Sequence, residues 1–336
     1  EWRHTLTNYF LQTDTHNIWW NLATEKYLAG KIEAGDVWLY LWQNDKTVVI
    51  GRNQNAFREC RTKLLEQEGG CLARRETGGG AVYHDLGNLC FTFAASPERY
   101  DLEKQLSVIQ DACLEFGIKT ELSGRNDIIT EDGFKFSGNA FSAGARCRIH
   151  HGTLMLNVDR DDMSRYLCPS REKMQAKGVT SVKARVCNLC EMNPKITVAD
   201  MCNALQRSFQ KKYGAMQEIS ADVLDKEQIE KTYALYKSWE WKYGKTPDYS
   251  VTFSKRFLWG EVEVREKLSG MKIQDAVIFS DSLDTELPEK LRKLLTGKKY
   301  DMEDISERDI LINDCTEEQK RNIKEVINWL ADVSAR

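Results

Sequence analysis

Arg74 and Arg75 stand just before three adjacent glycines, in Arg74-Arg75-Glu76-Thr77-Gly78-Gly79-Gly80-Ala81-Val82-Tyr83-His84-Asp85. Such a run costs backbone entropy, and is tolerated where a tight loop or a ligand approaching main-chain N–H groups leaves no room for side chains. Paired guanidinium groups supply fixed positive charge suited to a phosphate or a carboxylate. A surface turn flanked by solvated arginines has the same composition, so both readings stand on the residues alone. The loop lacks the Lys-Ser/Thr ending of a P-loop and the Gly-x-Gly-x-x-Gly spacing of a dinucleotide fold, which disfavours those two nucleotide classes.

Two further segments carry candidate chemistry. Gly124-Arg125-Asn126-Asp127-Ile128 leads to Lys135-Phe136-Ser137-Gly138-Asn139-Ala140. A strand lysine followed by small residues can project a point charge towards a phosphate, although a lone lysine is usually a solvated surface residue. In His150-His151-Gly152-Thr153-Leu154 the paired histidines suggest a metal, but neighbours on a strand point to opposite faces and do not readily chelate one ion, so one of them is expected to face a pocket. Cys187-Asn188-Leu189-Cys190 has the spacing of half a zinc site, with no second Cys-x-x-Cys or His-x3-His pair to complete it.

These residues need a scaffold. Residues 19–35 have helical periodicity, and 37–42 and 46–51 read as two strands joined in a hairpin around Asn44-Asp45. Residues 60–68 return to helix, 69–75 read as turn and strand, and 89–94 form another β-prone run. An amphipathic helix is expected over 102–116, stopped by Gly117, and strands over 126–130 and 134–136 flank a turn at Glu131-Asp132-Gly133. A strand over 150–158 and a mostly helical, charged stretch from 198 to about 243 follow. Gly244-Lys245-Thr246-Pro247 then punctuates the chain, before strands over 257–264 and 272–279 and helices over 287–295 and 317–330. The fold class expected is α/β (α+β), in two domains of residues 1–245 and 246–336.

The chain has 336 residues, 41% hydrophobic and 29% charged, with a formal net charge of -3 that gives no overall reason to expect nucleic-acid binding. No apolar run approaches the ~20 residues that cross a bilayer, and Glu1-Trp2-Arg3-His4 does not read as a secretory signal. Ten cysteines scattered through a chain with enough apolar content for a core point to free thiols in a reducing cytoplasm. A soluble, cytoplasmic protein without membrane contact is expected.

Taken together, these segments resemble the lipoate-protein ligase A family. Its members carry an Arg-Arg-x-Ser/Thr-Gly-Gly-Gly-Ala-Val-Phe/Tyr-His-Asp loop, a Gly-Arg-Asn-Asp stretch, a Lys-x-Ser-Gly lysine and a His-His-Gly-Thr strand, and all four stand here in family order. The likeness extends to residues 42–54, to Lys177-Gly178-Val179-Thr180-Ser181-Val182, to Ser238-Trp239-Glu240-Trp241 and to Phe279-Ser280-Asp281-Ser282. The resemblance implies a large catalytic domain with mixed sheets, shared with biotin ligases, and a smaller α+β accessory domain.

It also implies a reaction and its residues. Lipoate would attack the α-phosphorus of Mg·ATP, and the resulting lipoyl-adenylate would pass its acyl group to a lysine of an apo lipoyl domain, in 2-oxoacid dehydrogenase complexes or the glycine cleavage H protein. Positions matching the family's ATP contacts are Arg75, Gly80, Ala81, Val82, Tyr83 and Lys135. Lys135 also matches the residue that contacts lipoate and is the expected key electrostatic group, with Thr77, His84 and His151 lining the lipoate end and Trp42 packing along the acyl chain or serving as core. Asp127 would hold Mg²⁺, orient Lys135, or pair with Arg125. Glu76, negative within a loop for an anionic ligand, is expected to point away. Family members often act as monomers. The alternatives are a lipoyl or octanoyl transferase without ATP activation, for which a cysteine nucleophile has to be considered, a biotin ligase, disfavoured because its loop differs, and a non-catalytic lipoate-binding protein.

Overall fold

The computed structural model describes residues 6–124, 126–168, 186–243, 251–269, 272–300, 302, 304–306, 309 and 315–334. Arg125, residues 177–182 and the punctuating segment 244–247 therefore lie outside the described residues. The chain divides into two compact units, one of Glu1–Ile50, Ala56–Thr77 and Ala81–Lys242, the other of Gly51–Asn55, Gly78–Gly80 and Tyr243–Arg336.

The first unit carries β1 (Thr7–Gln12), α1 (Ile18–Lys31), β2 (Asp36–Trp42), β3 (Thr47–Ile50), α2 (Ala56–Glu59), α3 (Thr62–Gln67), β4 (Cys71–Arg74), β5 (Val82–His84) and β6 (Asn88–Ala95). It continues through α4 (Leu102–Leu114), β7 (Thr120–Ser123), β8 (Asp127–Thr130), β9 (Lys135–Ala143), β10 (Arg148–Met155), α5 (Arg160–Tyr166), α6 (Val198–Tyr213), β11 (Gln217–Ile219), α7 (Lys226–Lys237) and α8 (Trp239–Tyr243). Eight strands form one mixed sheet in the order β11-β1-β2-β6-β10-β9-β8-β7, and β4-β3-β5 form a small second sheet.

β2 and β6 are buried along their whole length, because each strand sends large apolar side chains to both faces. Trp38, Tyr40 and Trp42 meet Ile18, Leu22 and Leu28 of α1 and Ile229 and Tyr236 of α7. On the other face Phe93 packs on Phe209 of α6. The helices start at side-chain caps: Asn17 for α1, Asp101 for α4, and Thr197 with Asp200 for α6.

The hairpin expected around Asn44-Asp45 does not form, since β2 belongs to the large sheet and β3 to the small one. The cause is in the turn. Asn44 is fully buried, its amide is drawn inwards to Asn21 and His84, and Lys46 takes a φ of 36°. Buried hydrogen bonding thus splits the two strands where an exposed turn would have joined them. The helix expected over 60–68 is the shorter α3, which follows the separate short helix α2 across Cys60 and Arg61, and the stretch after 198 contains the strand β11. The turn at Glu131-Asp132-Gly133 does join β8 to β9, with Gly133 at φ 81°.

The second unit carries β12 (Val251–Phe257), β13 (Gly260–Ser269), β14 (Lys272–Ser280), α9 (Leu287–Leu295) and α10 (Glu317–Ser334). A single strand over 257–264 was the expectation; the chain instead turns at Leu258-Trp259, with Leu258 fully exposed, and β12 and β13 pair across the turn. Val262, Val264 and Ile278 pack with Leu291, Ile323 and Trp329. Glu266 follows Val262 and Val264 on the same face of β13 and is wholly buried, which raises its carboxyl to about 7. No described helix is long and apolar enough to cross a membrane.

Candidate functional site

Lys135 opens β9 and Asp127 opens β8, where the two strands run antiparallel with a register shift between Ile128 and Ile129. Asp127 lies opposite Gly138, so the lysine side chain folds back along its own strand to reach it. The Lys135 Nζ to Asp127 Oδ1 distance is 2.7 Å. A Cβ on Gly138 would come within 3.0 Å of that Nζ, which is why glycine suits this position. The loop before Asp127 is clamped by exchanged amides. Asn126 Nδ2 donates to the Asn139 carbonyl at 2.7 Å, and Asn139 Nδ2 returns a bond to the Asn126 carbonyl at 3.1 Å.

Behind this clamp the paired histidines of β10 divide as strand geometry requires. His150 faces the α4 and α6 side, where its ring contacts Asn139 Oδ1 at 2.9 Å and the Gln105 amide at 3.0 Å among Phe91, Phe93 and Phe141. Burial, reinforced by His151, pushes its imidazole down to about 3. His150 is thus a neutral core residue.

His151 faces α1 and joins a buried network. Its Nδ1 lies 2.7 Å from Glu25 Oε2, and its Nε2 lies 2.8 Å from Thr77 Oγ1, which also accepts from Arg75 Nε at 3.1 Å. Thr92 Oγ1 donates to the same Glu25 oxygen at 2.6 Å and accepts from Trp42 Nε1 at 3.2 Å. Burial works against the charge on Glu25, but His151, Thr92 and Arg75 outweigh it and hold the carboxyl below its usual range. Burial lowers the Arg75 guanidinium to about 10, which leaves it charged at neutral pH, and Glu25 works against that shift. Arg75 donates to Thr77, Trp42 donates to Thr92 and Thr92 donates to Glu25, while the two ring nitrogens of His151 bridge Thr77 and Glu25.

His84 closes β5 with its Nδ1 2.9 Å from Asn44 Nδ2 and 3.6 Å from Cys90 Sγ, and its ring meets Trp42 edge to face. Burial first, then the nearby Arg75 guanidinium and the His151 ring, takes its imidazole to about 3. Tyr83 turns to the opposite face of β5, where its ring leans on Tyr166 and its hydroxyl lies 3.4 Å from Asp162.

Arg74 and Glu76 depart from a ligand-facing role. Arg74 donates to the Trp241 and Lys242 carbonyls at 2.9 and 2.7 Å, while Trp241 Nε1 donates to the Arg74 carbonyl at 2.8 Å. This arginine holds the end of α8, so the Ser238-Trp239-Glu240-Trp241 segment is tied to the arginine pair. Glu76 pairs with Lys26 on α1 at 2.7 Å.

Within the second unit, Gly79 has a φ of 90° and donates its N–H to the Ser282 carbonyl at 3.0 Å. A Cβ on Gly78 would lie 2.3 Å from that same oxygen. These two glycines are explained by protein contact alone, and Gly80 sits half-buried beside them.

Glu25, Thr92, Asn44 and Asn139 were not singled out in the sequence. Glu25 had a signal: it continues the apolar stripe of Ile18, Leu22 and Leu28 on α1, where a carboxylate has to have partners. For Asp127, the observed partner is Lys135. Among the described residues no three His, Cys, Asp or Glu side chains converge as a metal site.

Comparison with known proteins identifies the family of the chain. The lipoyl protein ligase A/B catalytic domain matches residues 17–210, and the bacterial lipoate protein ligase C-terminus matches residues 246–330. The P. falciparum LipL1 structure in complex with lipoate is 33% identical over 97% of this chain and 99% of its own, with a TM-score of 0.82. A bi-partite lipoate protein ligase from Thermoplasma acidophilum, studied with its E2 lipoyl domain, is 25% identical over 74% of this chain and 100% of its own, with a TM-score of 0.65. A lipoate-protein ligase A bound with ATP shares the fold at 24% identity, over 72% of this chain and 99% of its own, with a TM-score of 0.61. With one family domain spanning more than half of its length and a second covering most of the remainder, the chain belongs to the lipoate-protein ligase family.

Proposed function

We propose that this protein activates lipoate with ATP and transfers the lipoyl group to a lysine of an apo lipoyl domain. The observation that carries the proposal is the Lys135 ammonium, oriented by Asp127 and given room by Gly138. In the first step a lipoate carboxylate oxygen bonds to the α-phosphorus of ATP while the bond to the β-phosphate bridging oxygen breaks, and pyrophosphate leaves. Negative charge grows on the α-phosphate oxygens in that step, and a fixed ammonium stabilises it without reorganising. In the second step the neutral amine of the acceptor lysine attacks the acyl carbon of the mixed anhydride. The amide forms, AMP leaves, and the amine gives up its proton.

Arg75 and the main chain of Gly80, Ala81, Val82 and Tyr83 are the proposed ATP contacts, and Thr77, His84 and His151 the proposed walls of the lipoate site. A single carboxylate already paired with an ammonium is a poor cage for Mg²⁺, which needs several oxygen ligands. Asp127 is therefore better suited to orienting Lys135, and a Mg²⁺ ion would be carried mainly by the nucleotide's own phosphates. The crystal structures of relatives with lipoate and with ATP support this reading, as does the relative studied with an E2 lipoyl domain, the acceptor class proposed here.

Cysteine chemistry has less support. Cys90 is the thiol beside His84, and burial raises it well above its usual range, the opposite of what a thiolate nucleophile needs. The test is the intact mass of an apo lipoyl domain incubated with the protein, lipoate and Mg·ATP. A gain of one lipoyl group that requires ATP is expected. A gain obtained only from supplied lipoyl-adenylate or an acylated carrier would identify a transferase, and no gain from any donor would identify a binding protein.

A further inference from the structure

The proton on His84 is fixed by a relay that begins at two backbone carbonyls. Asn21 Nδ2 contacts the carbonyls of Thr15 and Gln43 at 3.0 and 2.8 Å, so that end of the amide must be the NH₂. Its other end, Oδ1, accepts from Tyr40 Oη at 3.1 Å, in agreement. The Asn21 NH₂ also lies 3.1 Å from Asn44, which therefore presents its oxygen there and its own NH₂ to His84 Nδ1 at 2.9 Å. A ring nitrogen that accepts has no proton, and the ring stays neutral because burial and nearby positive charge oppose a second one. The single proton of His84 must then be on Nε2.

That Nε2–H is buried and has no hydrogen-bond partner among the described residues, on a residue only 4% exposed. A buried donor left unpaired is costly, so it calls for an acceptor supplied from outside the chain. Its surroundings indicate which. The ring borders Trp42 and Cys90, among the driest residues here, whereas Lys135 at 19% side-chain exposure keeps contact with solvent. An acyl chain with a charged head places the head at the lysine and the tail at the dry end.

We infer that His84, held in its Nε2–H tautomer by Asn21 and Asn44, is a specificity-determining residue that favours a tail bearing acceptor atoms over a plain hydrocarbon tail. This inference rests on the lipoate reading above. Dithiolane sulfur is a weak acceptor, and the methyl end of octanoate is none, so octanoate would leave the donor unpaired. A buried unpaired donor is worth about tenfold or more in binding, which sets the expected preference for lipoate over octanoate.

The experiment measures dissociation constants of both acids by calorimetry, for the wild type and His84→Phe, together with the ¹⁵N spectrum of histidine-labelled wild type. The wild type should bind lipoate about tenfold more tightly than octanoate, and His84→Phe should bring the ratio close to one. The His84 ring should show a protonated Nε2 and a bare Nδ1 at neutral pH, with the Nε2–H signal moved by lipoate and left in place by octanoate. Equal affinities in the wild type, an unchanged ratio in the variant, or a protonated Nδ1 would each overturn the assignment. Should His84→Phe fold poorly, the ring spectrum decides alone. Binding of neither acid would refute the lipoate reading itself, an outcome distinct from tight binding without preference.

Discussion

Asp127 is the more deeply buried partner of Lys135: their side chains are 7% and 19% exposed, 2.7 Å apart. The carboxylate therefore acts as a seat, and the lysine side chain keeps the greater contact with solvent. Lys135→Ala should lower ATP–pyrophosphate exchange by about 10²- to 10³-fold, the loss typical of one preorganised donor to a developing charge, with the circular dichroism spectrum retained. Asp127→Asn should keep the lysine but loosen its aim, giving a smaller loss. Wild-type exchange in Lys135→Ala would remove its assigned role.

The adjacent arginines should separate in mutagenesis. Arg74→Ala deletes hydrogen bonds to the end of α8 and should destabilise the protein by about 1–3 kcal/mol while the KM for ATP of the folded fraction stays near that of the wild type. Arg75→Ala removes the guanidinium that donates to Thr77 and should raise the KM for ATP or lipoate. Thermal unfolding and steady-state kinetics on the pair test this, and equal kinetic losses in both variants would contradict it.

Glu266 should make stability fall as pH rises. Its carboxyl stands at about 7 in the folded protein against 4.5 unperturbed, so the folded state holds the extra proton between those values. The stability this provides is fully present below 4.5 and is lost as pH climbs through 7, a loss of roughly 3 kcal/mol. Tyr300 is the titratable neighbour that senses it. Glu266→Gln should flatten the dependence, and its stability relative to the wild type should grow from pH 5 to pH 8.

His84 and His150 should act in the opposite direction. Both are lowered to about 3 from 6.5, so the unfolded chain takes up protons first as acid is added. Their contribution is complete above 6.5 and is lost as pH falls towards 3, at a cost on the order of a few kcal/mol. Proton NMR of the ring signals should show neither residue titrating between pH 5 and pH 8. A midpoint near 6.5 for either would mean that its ring is not sealed as described.

Gly152 is opposed by Phe91, Asn139 Oδ1 and the Gly138 carbonyl, all within 2.9 Å of where a Cβ would stand. Gly152→Ala should cost about 1–3 kcal/mol and should lower activity as well, because the displaced residues position Lys135. Unfolding and exchange assays on the same preparation would reveal both effects.

The elements and the loop were legible because periodicity and glycine placement are local signals. The opposite facing of His150 and His151 followed from strand geometry, and the pairing of β8 with β9 from the turn at Gly133. What could not be read was long-range. Asn44 looked like the tip of a hairpin, since nothing near it in sequence announces Asn21 or His84 as partners. Arg74 looked like a ligand for phosphate, because its partners at Trp241 and Lys242 are far along the chain. Thr92 on β6 carried no signal of its own. Strand β11 was too short and too polar for its alternation to register.

Buried hydrogen bonds run from Arg75 through Thr77 and His151 to Glu25, and from Trp42 through Thr92 to the same carboxylate. Thr77, His151 and Thr92 each have two partners in this network. Each hydroxyl and ring is therefore confined to one rotamer before any substrate arrives. The ordering entropy of these side chains is met during folding, and a molecule that enters later finds a wall whose dipoles are already aligned. Affinity at this wall should accordingly depend on the shape and polarity of the guest, with little contribution from rearrangement of the host.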